Sequence, residues 1–358
     1  MKTCTVTFYY SGNFGGFLQT WALQRFLGES NTLLYFNSSD VDCRFYIKNS
    51  RWRKIPFFWR FIALYRYIFK RRKTPDNVRM LRHTRKYYSL KKLIKSPPEA
   101  DVYIAGSDQI WNSKMFYEET NFEPYFLGFG SPNTKRIAYA ASMGGKEWPI
   151  TYTQKVLPYL KKFHAISVRE ESSVPFLNSI GLENIAVTCD PTILWTADVY
   201  RAYFHLEENE NSENIFIYHL QQKYPASIQQ FLNGKKTIEF GSRECNKQVP
   251  VLQWLYNINN ANFVITNSFH GTIFSILFHK PFITFPVTRK NAICGNERVH
   301  SLLKKINLQC RLLSMNETET KEEVEKILYS PIDWEQVDKI LEEWRIYSAN
   351  WLRSALEN

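Results

Sequence analysis

Short apolar runs rich in β-branched and aromatic residues alternate with helical patterns along most of the 358-residue chain. This alternation is typical of parallel α/β sheets, in which a helix follows each strand. In the first half of the chain it predicts strands at residues 3–10, 102–105, 136–140, 165–169 and 185–190. A helix is predicted after the first strand, over residues 17–27, with Leu18, Ala22 and Trp21 facing inward.

A polar stretch at residues 207–214, rich in Glu and Asn, interrupts this series and is predicted to be a linker. After it the strand pattern restarts at residues 215–220, 236–240, 263–267 and 281–285. We therefore expect two α/β domains, at residues 1–205 and 206–332.

A helix is predicted at the end of the chain, over residues 333–358, with Asp333 as its N-cap. Its apolar residues fall at helical spacing: Val337, Leu341, Trp344 and Trp351. This apolar face needs a partner, and we expect the helix to pack back on the N-terminal domain.

The formal net charge of +12 would suit a polyanion such as nucleic acid, but it is concentrated in one segment. Residues 51–95, an insertion in the N-terminal domain, carry sixteen Lys or Arg and a single acid, Asp76. The remainder holds 30 basic and 33 acidic residues. With no recognised nucleic-acid-binding module in the sequence, a nucleic-acid partner is not expected.

Part of the insertion has an amphipathic pattern. On a helical wheel, the apolar residues between positions 57 and 69 fill one wide arc, with basic residues opposite and at both ends. The pattern suits a helix on an anionic membrane surface, where each nearby Lys or Arg adds about 1 kcal/mol. It suits equally a helix packed on its own domain, and a single-strand nucleic-acid surface also interleaves basic and aromatic residues. Arg60 and Arg66 interrupt this apolar run, which is too short to span a bilayer.

The six cysteines are scattered singly, with no spacing typical of a zinc site or a disulfide framework. This usage is typical of a reducing compartment. The first residues lack the apolar run of a signal peptide before Ser11 and Gly12 intervene. We therefore expect a cytoplasmic protein.

Candidate site residues lie after the predicted strands, because ligands of parallel α/β sheets bind at the carboxyl ends of the strands. Asp108 could accept a proton from a substrate hydroxyl, or Ser107 or Asp108 could cap the next helix. Arg169 could bind a carboxylate or phosphate through its planar guanidinium, or pair with a neighbouring glutamate.

Two further loops carry candidate groups. The glycine-rich segment at residues 11–16 could bring backbone amides to an anion or a sugar, or serve as a tight turn. His270 follows the strand at 263–267, where an imidazole can exchange a proton near neutral pH. Cationic and polar groups that could converge on the same crevice lie downstream: Arg289, Lys290, Asn296 and Arg298.

Together these segments resemble the polysaccharide pyruvyl transferase family, over nearly the whole chain. The resemblance rests on the order and spacing of short motifs at residues 12–15, 105–112, 139–142, 167–170, 190–192, 268–272 and 296–298. It implies a fold similar to that of two-domain GT-B glycosyltransferases, with a central crevice between Rossmann-like domains. Asn267 departs from the pattern, because family members often have Asp at this position.

The resemblance also implies a reaction, in which the enolpyruvyl group of phosphoenolpyruvate is transferred to a sugar diol to form a pyruvate ketal. His270, as proton donor, and Asp108, as the group that activates the acceptor hydroxyl, would be the catalytic residues. The groups that bind phosphoenolpyruvate would be Arg169, His270, Lys290, Arg289 and Arg298. Those that bind the acceptor sugar would be Asn13, Gly15, Gln19, Asp108 and Asn112. No cofactor and no metal ion are implied.

The family usually acts on a lipid-linked precursor of a surface polysaccharide, which gives the basic insertion a role. We expect an enzyme that is peripheral at the inner face of the cell membrane, with phosphoenolpyruvate, a lipid-linked sugar and the anionic membrane surface as its partners. Two alternatives stay open at this point. One is a GT-B-type glycosyltransferase that uses a nucleotide sugar, and the other is a non-catalytic glycan-binding component of a polysaccharide assembly complex.

Overall fold

The computed structural model describes residues 1–9, 14–36, 79–116, 121–209, 212–220, 223–241, 250–288, 296–313 and 320–357. Most of the predicted strands fall within these ranges. The predictions for Asn13, Arg289, Lys290 and the amphipathic segment at 57–69 lie outside the described residues.

The described part of the first half of the chain forms a seven-stranded parallel sheet. Its strands are β1 (Thr3–Val6), β2 (Asn31–Phe36), β3 (His83–Tyr87), β4 (Val102–Ala105), β5 (Lys135–Ala141), β6 (Ala165–Val168) and β7 (Ala186–Val187). They lie in the order β3-β2-β1-β4-β5-β6-β7, so the direction of winding reverses between β1 and β4. In open α/β sheets, ligands bind beyond the carboxyl ends of the strands at such a reversal.

A second parallel sheet, of four strands within the described residues, follows in the other half. Its strands are β8 (Ile215–His219), β9 (Thr237–Gly241), β10 (Phe263–Thr266) and β11 (Phe282–Thr284). They lie in the order β11-β10-β8-β9, so this sheet has its own reversal, between β8 and β10. The two sheets therefore each offer one ligand-binding edge.

The α-helices of the described ranges are α1 (Phe14–Leu27), α2 (Leu90–Lys95), α3 (Ile150–Leu160), α4 (Val174–Ser179), α5 (Ala197–Phe204), α6 (Ala226–Leu232), α7 (Val251–Asn259), α8 (Phe269–Leu277), α9 (Glu297–Lys305), α10 (Lys321–Tyr329) and α11 (Trp334–Glu357). Helix α1 begins three residues earlier than the sequence pattern predicts, and Leu18, Ala22 and Trp21 are buried in it as expected.

The predicted strand over 3–10 is wrong at its end, because β1 stops at Val6. The predicted strand at 185–190 is likewise reduced to the two residues of β7, and a 3-10 turn, Pro191–Leu194, begins soon after it. Aspartate and proline favour turns over strands, which explains this early end.

Three buried apolar clusters form the core, and one of them is common to both sheets. This shared cluster joins Trp21 and Ile104 of the first half to Trp254 and Phe274 of the second. The other two clusters each cover the opposite face of one sheet. At the contact between the halves, the rings of Phe14 and Trp254 stack with centroids 5.5 Å apart.

Helix α11 returns to the first half of the chain. Asp333 caps it as predicted, accepting a hydrogen bond from the Gln336 amide at 3.0 Å. Near its end, the Ser348 hydroxyl accepts from the Cys189 amide at 2.9 Å, and Lys135 donates to the Leu356 carbonyl at 3.1 Å. Within the described ranges, no helix is both long and apolar enough to cross a membrane.

Candidate functional site

The carboxyl ends of the two sheets meet at a cluster of buried charged side chains. Asp108 follows β4 and Arg169 follows β6, both in the first half of the chain. His270 lies in the first turn of α8, just after β10, and Arg298 lies in the first turn of α9. The structure therefore brings four of the predicted site residues together at the junction of the two halves.

A buried carboxylate, that of Asp190, links the two walls of this junction. Its Oδ2 accepts hydrogen bonds from Arg169 Nη1 at 2.7 Å and from Ser107 Oγ at 3.1 Å, and it lies 3.6 Å from His270 Nε2. Its Oδ1 accepts from the amide and hydroxyl of Thr192 at 3.0 and 2.7 Å. Burial alone would raise the pKa of Asp190, but His270 and Arg169 hold that pKa far below its ordinary value. Asp190 is therefore a carboxylate anion across the working pH range.

The guanidinium of Arg169 is held on most of its edges. Its Nη1 donates to Asp190, its Nε donates to Glu170 Oε1 at 3.4 Å, and its flat face lies 4.4 Å from the centre of the Phe269 ring. Burial alone would lower the pKa of Arg169, but the surrounding carboxylates outweigh burial and raise it. The remaining edge, Nη2, is buried without a hydrogen-bond partner and lies 3.8 Å from Asp108 Oδ1.

Arg298 approaches the same carboxylate and the same ring from the other wall. Its Nη1 lies 3.6 Å from Asp108 Oδ1, and its guanidinium carbon lies 5.3 Å from the centre of the Phe269 ring. The side-chain amide of Gln109, with its oxygen turned toward Arg298, accepts from Nε at 3.0 Å. One carboxylate and one aromatic ring are thus shared by two guanidinium groups, one from each wall.

Asp108 does not cap a helix, which was one of the two alternatives for it. Its Oδ1 accepts from the Gln109 amide at 2.9 Å, and the 3-10 turn that follows, Ser113–Met115, is capped by Asn112. The backbone φ of Asp108 is 75°, in the left-handed region that non-glycine residues rarely adopt. Such conformations are found where the surrounding structure fixes a functional group in place.

His270 is enclosed between the two halves of the chain and is 2% exposed. Its Nε2 faces Asp190, and its Nδ1 faces Gly15 at the start of α1. A Cβ at Gly15 would overlap the imidazole, so only glycine allows this approach. Ser268 caps α8, accepting from the Gly271 amide at 3.2 Å, and so fixes the turn that carries His270.

Two residues assigned to the acceptor side are buried in loop contacts. Gln19 is fully buried, and its Nε2 donates to Thr7 Oγ1 at 3.0 Å and to the Gly16 carbonyl at 2.9 Å. Asn112 is also buried, and its Oδ1 accepts from the Lys114 amide at 3.0 Å. Both side chains brace the loops at the carboxyl end of the first sheet.

Asn267, the departure from the family pattern, joins the ends of β10 and β8. Its Oδ1 accepts from the Leu220 amide at 2.6 Å, and its Nδ2 donates to the Leu220 carbonyl at 2.7 Å. An ionised carboxylate could make only the first of these bonds, since it has no donor. The amide therefore makes a pair of bonds that an ionised aspartate at this position could not make.

Asp190 and Phe269 are site residues that the strand-end argument missed. Asp190 ends the predicted strand at 185–190, so the argument applied to Arg169 would also have selected it. Phe269 carries no such signal, because an aromatic residue at the start of an apolar helix is typical of a core position. Across the described ranges, no three His, Cys, Asp or Glu side chains group as ligands of a metal ion would.

The fold is that of GT-B glycosyltransferases and epimerases, as predicted. UGT89C1 of Arabidopsis thaliana complexed with UDP superposes with a TM-score of 0.50 and 10% identity, over 99% of this chain and 98% of that one. A putative UDP-N-acetylglucosamine 2-epimerase from Listeria monocytogenes also gives a TM-score of 0.50 and 10% identity, over 100% of this chain and 96% of that one. At this identity the likeness shows the fold alone. No curated protein matches the chain.

The sequence matches the family described as "Polysaccharide pyruvyl transferase" over residues 13–289. This range includes the first sheet from α1 onward, the second sheet, and the buried cluster up to His270. The chain therefore belongs to the polysaccharide pyruvyl transferase family, and it is a transferase.

Proposed function

We propose that this protein transfers the enolpyruvyl group of phosphoenolpyruvate to a sugar diol of a lipid-linked surface-polysaccharide precursor, forming a pyruvate ketal. The observation that carries the proposal is the meeting of Arg169, Arg298 and His270 at the carboxyl ends of both sheets. Two guanidinium groups and an imidazole at a ligand-binding edge suit an anionic donor that must also receive a proton.

The reaction makes two demands on the site. A proton adds to the methylene carbon of phosphoenolpyruvate, and C2 becomes electrophilic. One sugar hydroxyl adds to C2, the C2–O bond to phosphate breaks, and the second hydroxyl closes the ketal, each hydroxyl giving up its proton. The site must therefore hold a highly charged anion and supply an acid, with a base for the acceptor hydroxyl.

Each group in the cluster has a place in this scheme. Arg169, through its Nη2, which makes no hydrogen bond in the described structure, and Arg298 bind the carboxylate or phosphate of the donor. His270 contacts the phosphate and donates the proton, and Asp108 accepts the proton of the attacking hydroxyl. Three carboxylates already neutralise much of the positive charge of the two guanidinium groups. In this proposal Lys290 and Arg289 therefore neutralise the rest of the negative charge of the donor. The donor is a substrate, and the scheme calls for no cofactor.

On the acceptor side, the sugar lies near the loops after β1 and β4. Asn13, Gly15 and Asp108 stand closest to it in this proposal. Gln19 and Asn112 are buried, so in this proposal they do not contact the sugar but hold in place the loops that do. In this proposal the enzyme meets its lipid-linked acceptor at the cytoplasmic membrane surface. The exposed lysines of α2 support this, because they could contact anionic lipid headgroups.

The test combines the purified full-length chain with phosphoenolpyruvate and lipid-linked oligosaccharides. We expect phosphate release that depends on the acceptor, together with an acceptor mass increased by one pyruvyl group. His270→Ala should lower turnover by about a hundredfold or more, because it removes the proton donor. The matched control is His279→Ala, since His279 lies at the other end of α8 and pairs with Asp338 on α11.

No phosphate release with any lipid-linked sugar would contradict the proposal. If a nucleotide diphosphate also protected the protein against heat, the alternative of a nucleotide-sugar glycosyltransferase would take its place. Near-normal turnover in His270→Ala would remove His270 from the mechanism.

A further inference from the structure

The ring of Phe269 is in contact range of two guanidinium groups that come from opposite walls of the junction. Phe269 is the first residue of α8 and is 5% exposed. The guanidinium carbon of Arg169 lies 4.4 Å from its ring centre, and that of Arg298 lies 5.3 Å away. Both distances are within the range of a cation–π interaction.

The Phe269 ring offsets part of the repulsion between the positive charges of Arg169 and Arg298. Two guanidinium groups near one another repel, and neither makes a hydrogen bond with Asp108, from which they lie 3.8 and 3.6 Å away. The face of an aromatic ring is negative and attracts cations, most strongly where water is excluded. Phe269 therefore stabilises both cations at once without using any of their N–H groups.

The N–H edges of the two guanidinium groups that make no hydrogen bond with Asp108 suit an anionic ligand. A cation stacked on a ring keeps its N–H groups in its own plane, and Asp190 and Glu170 occupy two edges of Arg169. Its Nη2 has no hydrogen-bond partner in the described structure, although it is buried. Nη2 of Arg169 and Nη1 of Arg298 flank the same carboxylate oxygen of Asp108. A ligand oxygen that binds beside Asp108 Oδ1 could accept from both edges, because neither of them makes a hydrogen bond with Asp108.

We propose that Phe269 is a positioning residue, whose ring holds Arg169 and Arg298 so that these two N–H edges converge on one subsite for a carboxylate or phosphate group. The proposal rests on the proposed function, because it takes the ligand to be the donor. A purely structural Phe269 would fill the core and leave donor affinity to the arginines alone. The two roles differ in what the aromatic ring itself contributes.

The test compares three variants of the full-length chain. Phe269→Leu removes the ring but keeps an apolar side chain, Phe269→Tyr keeps the ring, and Phe274→Leu makes the same substitution at a fully buried position of the same helix. We measure binding of phosphoenolpyruvate and of inorganic phosphate by calorimetry, KM and kcat for phosphoenolpyruvate, and the midpoint of urea unfolding.

We expect Phe269→Leu to weaken binding of both anions and to raise KM about tenfold, with kcat changed less. Phe269→Tyr should restore most of the affinity. Phe274→Leu should lower the unfolding midpoint and leave anion binding near the wild-type value.

Equal anion affinity in Phe269→Leu and the wild type would overturn the inference, as would a Phe269→Tyr variant as weak as Phe269→Leu. Equal weakening by Phe274→Leu would also overturn it, because the effect would then be one of core packing. If the wild type binds neither phosphoenolpyruvate nor phosphate, the proposed function fails, and this result is distinct from the others.

Discussion

At the scale of single residues, the site depends on contacts that fit only one side chain. Gly15 lies against the imidazole of His270, and Asp190 faces its other nitrogen. Arg298 and Arg169 share one carboxylate and one ring. The positions of these groups are therefore fixed by neighbours distant in sequence.

Gly15→Ala should reduce turnover at least about tenfold while the protein stays folded. Alanine favours a helix, so α1 accepts it, but the added Cβ would overlap His270 and displace the imidazole. The measurement is phosphate release together with the far-ultraviolet circular dichroism spectrum. Gly145→Ala is the matched control, because a Cβ there meets nothing within 4 Å. A Gly15→Ala enzyme with normal kcat and KM would show that His270 does not need its present position.

The sequence identified part of this site. Asp108, Arg169 and His270 follow predicted strands, and the topology of parallel sheets brings Asp108 and Arg169 to one edge of the first sheet and His270 to the matching edge of the second. Topology also places Asp190, after β7, near Arg169, after the adjacent strand β6, but it does not determine that these two side chains pair. The contacts of Phe269 with the arginines were not predictable for a different reason, since the hydrophobic pattern predicts only that this side chain is buried.

At the scale of elements, α11 holds the turn that carries Asp190. Ser348 accepts a hydrogen bond from the Cys189 amide at 2.9 Å, and Arg345 donates to the Ile193 carbonyl at 2.8 Å. These bonds lie on either side of Asp190 in sequence. The C-terminal helix therefore holds the turn that carries Asp190 at two points.

Ser348→Ala should lower the free energy of unfolding by about 1–3 kcal/mol, because it leaves the buried Cys189 amide without its acceptor. Urea unfolding measures this change. The control is Ser354→Ala at an exposed position of the same helix, where a change within about 0.5 kcal/mol is expected. Equal stability of the two variants would mean that the Cys189 amide finds another partner.

Most elements were predictable from the hydrophobic pattern, and β4 matches its prediction at both ends. The strands β2 and β3 were missed. Strand β3 (His83–Tyr87) is the edge strand of its sheet, only Tyr87 in it is buried, and it carries basic residues that hide the alternation. Charged residues on an edge strand prevent pairing with other chains, so the missing pattern has a physical cause.

At the scale of the whole molecule, the excess positive charge lies outside the charged cluster of the site. The described end of the insertion, residues 79–95, holds seven of its Lys and Arg and no acid. In α2, Leu93 is buried, while Lys91, Lys92 and Lys95 are exposed beside Ile94, which is 53% exposed. A short basic helix with an exposed apolar residue suits contact with anionic lipid headgroups.

Replacing Lys91, Lys92 and Lys95 by Gln should weaken binding to phosphatidylserine vesicles at low salt by at least about tenfold, since each lysine near the surface adds about 1 kcal/mol. Sedimentation with vesicles at two salt concentrations measures this. The control replaces three exposed lysines elsewhere, Lys155, Lys161 and Lys162. Unchanged sedimentation of the first variant would assign α2 to a solvent-exposed edge with no membrane role.

The positions of Arg169 and Arg298 on different walls should affect the rate at which a bound donor leaves. Arg169 and Asp108 belong to one wall of the crevice, and Phe269 and Arg298 belong to the other. If the donor bridges both guanidinium groups as proposed, separation of the walls would take the anion subsite apart, and the bound donor would hold the walls together. We therefore expect the residence time of the donor to follow the rate at which the walls separate, and an acceptor that enters second to find the donor already ordered.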